Sequence, residues 1–93
     1  MENITVLREE INNIDRELVE LFKKRMAVSC KIAEYKHDNS LPVYDPEREK
    51  LIIDRIADQV GEELADYASE LYAALFKISR DYQVKILGRS KQE

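Results

Sequence analysis

Glycine and proline are nearly absent, with two of each in 93 residues. Sheet-rich folds turn often and draw on these residues at their turns. So few breakers leave an all-α chain of few, long elements. Cysteine occurs once, at Cys30, so no intrachain disulfide can form. The N-terminus, MENITVLREE, lacks the basic-then-apolar layout of a secretory signal. Both features point to a reducing cytoplasm. No apolar run approaches the roughly 18 residues of a membrane span, so no membrane partner is expected. Positive charge is also short: the net charge is −4 and the pI about 5.1. Nucleic acid demands a basic face, so it is not expected as a partner either. There is a single histidine, and Cys30 falls at an outer heptad position. Thiol catalysis is therefore not expected.

What the chain does have is apolar periodicity. Counting from Ile4, the positions Ile4, Leu7, Ile11, Ile14, Leu18, Leu21, Arg25, Val28, Ile32 and Tyr35 alternate steps of three and four. That is the heptad pattern of a long helix packed along one stripe. Eight of the ten are aliphatic, and Tyr35 can bury its ring while its hydroxyl stays wet. Arg25 is the exception. A guanidinium does not lose its charge, so at a seam it needs an anionic partner. Either a buried ion pair or a bound anion would supply one.

No glycine or proline interrupts residues 3–36, so one helix of about 33 residues and about 50 Å is expected. Asp38, Asn39, Ser40 and Pro42 form a break. Asp45-Pro46-Glu47 starts a second helix, with a capping side chain, proline at the first helical position and an acid at the positive end. It carries Leu51, Ile52, Ile53 and Ile56 and stops near Gly61. A third helix is expected from about Glu62 to Leu87, with the stripe Leu64, Ala68, Leu71, Leu75, Ile78 and Tyr82. Gly88 reads as its stop and residues 89–93 as a frayed tail. The whole is one domain over 1–93. Nothing before Asn3 or after Gly88 reads as a linker, so a free-standing protein is expected.

A compact globule of this length has a radius of gyration of about 12 Å. It cannot cover a 50 Å helix whose apolar seam runs to both ends. A symmetric homodimer with the long helices packed together is the simplest cover.

Several polar residues fall on or beside the apolar faces. Lys36 is eleven residues after Arg25, three turns on and nearly on the same face. Arg8 precedes Arg25 by seventeen residues, about 25 Å along the axis. One small ligand cannot touch both on one helix, but Arg8 of one chain could approach Arg25 of an antiparallel partner. Arg48 and Glu49 open the second helix beside the Asp45 cap. Ser79 and Gln83 lie four apart on the third. Each has a plainer reading. Arg8 and Arg48 could be solvated, Arg25 held by a structural carboxylate, and Lys36 and Glu49 placed for helix dipoles. Ser79 and Gln83 could be ordinary boundary residues. Taken together, the set suits a small polyanion.

The order LREEINNIDRELVELFKKRM, KIAEYK, LPVYDPEREKLI, LYAALFKISRDYQ resembles the all-helical chorismate mutases, from about Leu7 to Gln83. The segments are individually loose, but their joint spacing is specific. The resemblance implies a three-helix protomer in an intertwined homodimer with two shared sites. It implies the rearrangement of chorismate to prephenate on the way to Phe and Tyr, with no cofactor and no metal. Arg25 and the partner chain's Arg8 would hold the substrate carboxylates, supported by Arg48 and Ser79. Lys36 would donate to the breaking ether oxygen and to a carboxylate. Glu49 and the backbone near Asp45 would bind the ring hydroxyl. Gln83 would give the second hydrogen bond to the ether oxygen. None of the eight positions departs from the family pattern. An isochorismate pyruvate lyase on the same scaffold is the alternative enzyme. A helical dimerisation or regulatory module is the non-catalytic one.

Overall fold

The structure, a computed structural model, describes residues 3–91. It consists of α1 (Ile4–Asp38), α2 (Pro46–Val60) and α3 (Glu62–Lys91), with no strand among the described residues. The all-α expectation and the first two helix spans hold to within two residues.

Local chemistry accounts for the helix ends. Asn3 caps α1 by accepting from the Val6 N–H at 3.0 Å. At the other end the Leu41 N–H donates to the Lys36 carbonyl at 2.7 Å, and the Ser40 N–H to the His37 carbonyl at 3.2 Å. This nested pair closes a helix through one left-handed residue, usually glycine. Here the residue is Ser40, with φ 55. The Asn39 side chain donates to the Tyr35 carbonyl at 2.8 Å, which also accepts from the Asn39 backbone N–H at 3.1 Å. Asp45 caps α2 through the Arg48 N–H at 3.2 Å, with Pro46 at the first helical position. Gly61 alone separates α2 from α3, and its φ of 87 is one that a side chain would strain.

Helix α3 does not stop where the sequence suggests. It runs through Gly88 to Lys91. A helical glycine costs about 1 kcal/mol, which weakens a helix without ending it. The stop needs a left-handed residue there, and Gly88 stays helical. Of the tail expected to fray, Gln92 and Glu93 lie outside the described residues.

Helix α3 is the hub. Both α1 and α2 pack on it, while the α1 and α2 backbones do not approach one another. The inward line of α3 is Ala65, Tyr72, Phe76, Ser79, Gln83 and Ile86. Of the expected stripe, Ala68, Leu75 and Tyr82 are half-buried beside this line, while Leu64, Leu71 and Ile78 are exposed. Helix α1 divides in a similar way. It buries Ser29 and Ala33 on α3, and every aliphatic member of the Ile4–Tyr35 heptad is exposed in the protomer. Cys30, expected to face outward, is half-buried next to this contact. Small side chains make the contact because they let two helix backbones come close. Their low hydrophobicity hides them from an apolar-periodicity reading.

The protomer measures 57 × 29 × 14 Å, with a radius of gyration of 16.9 Å. A helix with its side chains is about 10–12 Å across, so this is a layer one helix thick. Only Ala33 and Phe76 are buried apolar side chains among the described residues.

Ser40 yields a test. A left-handed conformation costs a non-glycine residue about 1–2 kcal/mol, and glycine returns about 0.4–1 kcal/mol of that through unfolded-chain entropy. Ser40→Gly should therefore raise stability by up to about 1 kcal/mol, seen as a higher urea midpoint with unchanged slope. A lower midpoint would mean that the Ser40 side chain stabilises the turn.

Candidate active site

A cleft of about 320 Å³ opens between the C-terminal half of α1, the N-terminus of α2 and the second half of α3. It takes Arg25, Val28, Ser29, Ile32 and Lys36 from α1, which follow one face at helical spacing. The loop and α2 contribute Val43, Asp45, Arg48, Glu49 and Ile52, and α3 contributes Phe76, Ser79, Arg80 and Gln83. Seven of the eight residues singled out from sequence thus share one cleft. The eighth, Arg8, is exposed in a separate surface depression with Ile4, Leu7, Ile11 and Asn12.

Four cationic side chains face two carboxylates in the lining, an excess of two positive charges. Arg80 and Glu49 are paired. Asp45 is engaged as the α2 cap. Arg25, Lys36 and Arg48 have no carboxylate within ion-pair distance among the described residues. Their charges are left to solvent or to a ligand.

Arg25 is half-buried. Its Nη1 donates to Ser79 Oγ at 2.7 Å, and its guanidinium carbon lies 5.7 Å from the Phe76 ring centre. A neutral hydroxyl and a ring face hold it, rather than the structural carboxylate considered as an alternative. Lys36 Nζ donates to the Val43 carbonyl at 3.0 Å, tying the α1–α2 loop back to α1. Gln83 is buried at 6% exposure, and its Nε2 donates to the Ser29 carbonyl at 3.0 Å. Ser29 Oγ is a weaker second acceptor at 3.5 Å. The Gln83 amide carries two N–H donors. The shorter bond uses one of them, and the second has only the long contact to Ser29 Oγ.

Two lining residues escape a sequence reading. Ser29 is an ordinary small helix residue until Gln83 meets it. Arg80 sits between Ser79 and Asp81 in a charged stretch. In the fold it pairs with both Glu49 oxygens and lies 4.6 Å from the Tyr44 ring centre. The Glu49 hydrogen bond raises its pKa further, outweighing desolvation, so Arg80 is a cation at every accessible pH. The spacing of Glu49 and Arg80 gives no local signal of the pair, because the turn at Gly61 brings them together.

A cleft of this kind can hold a compact anion by its carboxylates. It can also present neutral and cationic donors to a second polar atom.

Comparison with known proteins agrees with this chemistry. Residues 7–84 match the family model described as chorismate mutase type II. The chain is 35% identical over 66 residues to a chorismate mutase of Methanocaldococcus jannaschii, covering 71% of this chain and 67% of that one. It is 34% identical over 85 residues to a bifunctional chorismate mutase/prephenate dehydratase of Buchnera aphidicola, covering 88% of this chain and 22% of that one. A T-protein of Haemophilus influenzae is 47% identical over 49 residues, covering 53% of this chain and 13% of that protein. The chain therefore spans less than a quarter of the Buchnera and Haemophilus relatives and about two thirds of the Methanocaldococcus one. No solved structure matches it.

The setting of Arg25 fixes the sign of a stability effect. Removing one partner of a buried ion pair costs about 3–5 kcal/mol, because the other charge is stranded. Arg25→Leu strands only the Ser79 hydroxyl, and it removes the desolvation cost of the cation. The denaturant midpoint should stay within about 1 kcal/mol of the parent, the scale of a single neutral hydrogen bond. A loss of the larger size would mean that a carboxylate holds Arg25 in solution.

Proposed function

The chain belongs to the chorismate mutase type II family, and from that premise we propose that it rearranges chorismate to prephenate in aromatic amino acid biosynthesis. The observation that carries the reading is the cleft. Cations without carboxylate partners line it together with one buried amide donor.

The reaction breaks one C–O bond and forms one C–C bond within a single molecule. No nucleophile or proton transfer is required. The protein must hold a dianion in its compact, reactive conformer and stabilise charge growing on the ether oxygen. Arg25 and Arg48 take the carboxylates, since a guanidinium fork matches a carboxylate bidentately. Ser79 orients Arg25 through their hydrogen bond and assists the same carboxylate. Lys36 and Gln83 donate to the ether oxygen. For Lys36 this means adding or exchanging a partner to its bond with Val43. Glu49 and the backbone near Asp45 accept from the ring hydroxyl.

The active form is a homodimer in this proposal, with Arg8 reaching the partner's cleft. The protomer's accessible surface is 7792 Å². A compact monomer of its mass exposes about 5,600 Å². The excess, about 2,200 Å² per chain, is of the order that an obligate interface buries. The exposed heptad of α1 supplies it as an apolar stripe, and Arg8 flanks that stripe. No helix among the described residues is long and apolar enough to cross a membrane. A cytoplasmic site of action fits the single Cys30.

Incubating the purified chain with chorismate should give prephenate. Turnover of isochorismate to pyruvate and salicylate in its place would assign the lyase activity, and no turnover of either would leave a dimerisation module. Arg25→Leu should lower chorismate turnover at least about 10²-fold, the scale for one well-placed charge-stabilising donor.

Gln83 is neutral at every pH, so its donor does not titrate away. In Gln83→Glu the side chain donates only when protonated, and activity should shift toward acid. An active Gln83→Glu protein with the parent's pH profile would remove Gln83 from the ether oxygen.

Light scattering at micromolar concentration should give a dimer mass. Mixing inactive Arg8→Ala and Arg25→Ala chains should recover activity, because each heterodimer holds one site with both arginines. Free chain exchange without recovery would rule out the cross-chain role of Arg8.

A further inference from the structure

Arg80 lies in the cleft wall, yet the rearrangement described above gives it no part. We propose that Arg80 is a positioning residue, which clamps Glu49 so that its carboxylate meets the substrate's ring hydroxyl in one fixed orientation. The inference rests on the mutase reading.

Three segments converge on the clamp. Both Glu49 oxygens, on the first turn of α2, accept from Arg80 Nη1 on α3. The Tyr44 ring, in the loop before α2, covers the guanidinium at 4.6 Å. The Arg80 and Glu49 side chains are only 29% and 19% exposed. This pair is thus shielded more than a surface ion pair, which solvent weakens.

Charge explains why a clamp is needed. A bare carboxylate in a site for a dianion would repel the substrate. Arg80 cancels that charge without removing the acceptor, since a carboxylate has about four lone-pair sites and the clamp uses one on each oxygen. It also selects one Glu49 rotamer in advance, so substrate binding need not order that side chain. Arg80 is already neutralised by Glu49, and so it is poorly suited to hold a substrate carboxylate itself.

The test is a double-mutant cycle on chorismate turnover, with Arg80→Met, Glu49→Ala and the double variant. Methionine keeps an unbranched stem beneath Tyr44 and removes the charge. Arg80→Met should lower kcat/KM about 10- to 100-fold, the scale for a misplaced binding group. In the Glu49→Ala background the same change should cost less than about twofold, because sites that act independently would instead add in full. A chorismate analogue without the ring hydroxyl separates positioning from support of the fold. The parent and Arg80→Met should convert it at similar rates. Arg80→Lys, a single-point donor that is easier to fold, should lose part of the activity on chorismate and none on the analogue. Additive losses in the cycle, or equal losses on chorismate and the analogue, would overturn the clamp. A parent that turns over chorismate while the cycle is additive sinks only this inference. A parent inactive on chorismate sinks the mutase reading and the clamp with it.

Discussion

The hydrogen bond from Gln83 to the Ser29 carbonyl, at 3.0 Å, sits where α1 meets α3, and both fold and site depend on that contact. It forms because Ser29 and Ala33 are small enough for the α3 side chains to lie against the α1 backbone. Gln83, Ser79 and Phe76 fill the space from the other side, all buried. A larger residue at 29 or 33 would push the helices apart and carry Gln83 out of reach. The polar core of the protomer is thus also the floor of its cleft, and the residues that join the helices line it. In the proposed mechanism stability and function share Gln83 and Ser79, a common arrangement where a site is built between elements rather than on a loop.

Thickness is the second constraint. Domains usually bury a face between two layers, and a layer 14 Å thick has no second layer of its own. The aliphatic residues of the long α1 heptad are therefore all left exposed, although Leu18 and Leu21 border Leu71 and Leu75 of α3. Arg25 stands at the junction of these two requirements. It occupies a heptad position of the exposed stripe, yet its guanidinium turns aside to Ser79 and the Phe76 ring. A leucine there would extend the stripe. The arginine interrupts it at the point where the cleft begins.

Much of this was legible in the sequence because helix caps and periodicity are local signals. Asp45-Pro46 and the break marked by Asp38, Asn39, Ser40 and Pro42 set the first two helices, although Asp38 itself is still helical, and helical spacing brought Arg25 and Lys36 to one face. Seven of the eight proposed site residues share the cleft because each lies at a helical spacing from a recognisable element. The rest was hidden for physical reasons. An apolar count locates the most hydrophobic stripe, and in a single-layer protomer that stripe faces outward. The inward stripe of α1 is made of Ser29 and Ala33, which such a count passes over. Gly88 reads as a stop, but glycine ends a helix only when it adopts the left-handed turn. The Arg80–Glu49 pair spans 31 positions across the α2–α3 turn, so spacing carries no trace of it. Arg8 was placed at a distance from Arg25 that one helix cannot close, and the fold keeps them apart.

The donors of the cleft share one further property, which bears on preorganisation. Arg25, Lys36 and Gln83 are each fixed by a protein partner that takes fewer hydrogens than the side chain offers. Arg25 has five N–H donors, Lys36 three and the Gln83 amide two. The bonds to Ser79, Val43 and Ser29 use one from each. A side chain with one donor anchored has lost much of its rotamer freedom before any ligand arrives. The ordering cost is then met by folding rather than by binding. In a reaction with no covalent step, what the protein supplies is charge and donors already in place. Arginine, lysine and glutamine suit this task because they carry donors to spare. A serine in the role of Gln83 would have a single hydrogen to give. It could anchor itself on α1 or serve the ligand, but it could not do both.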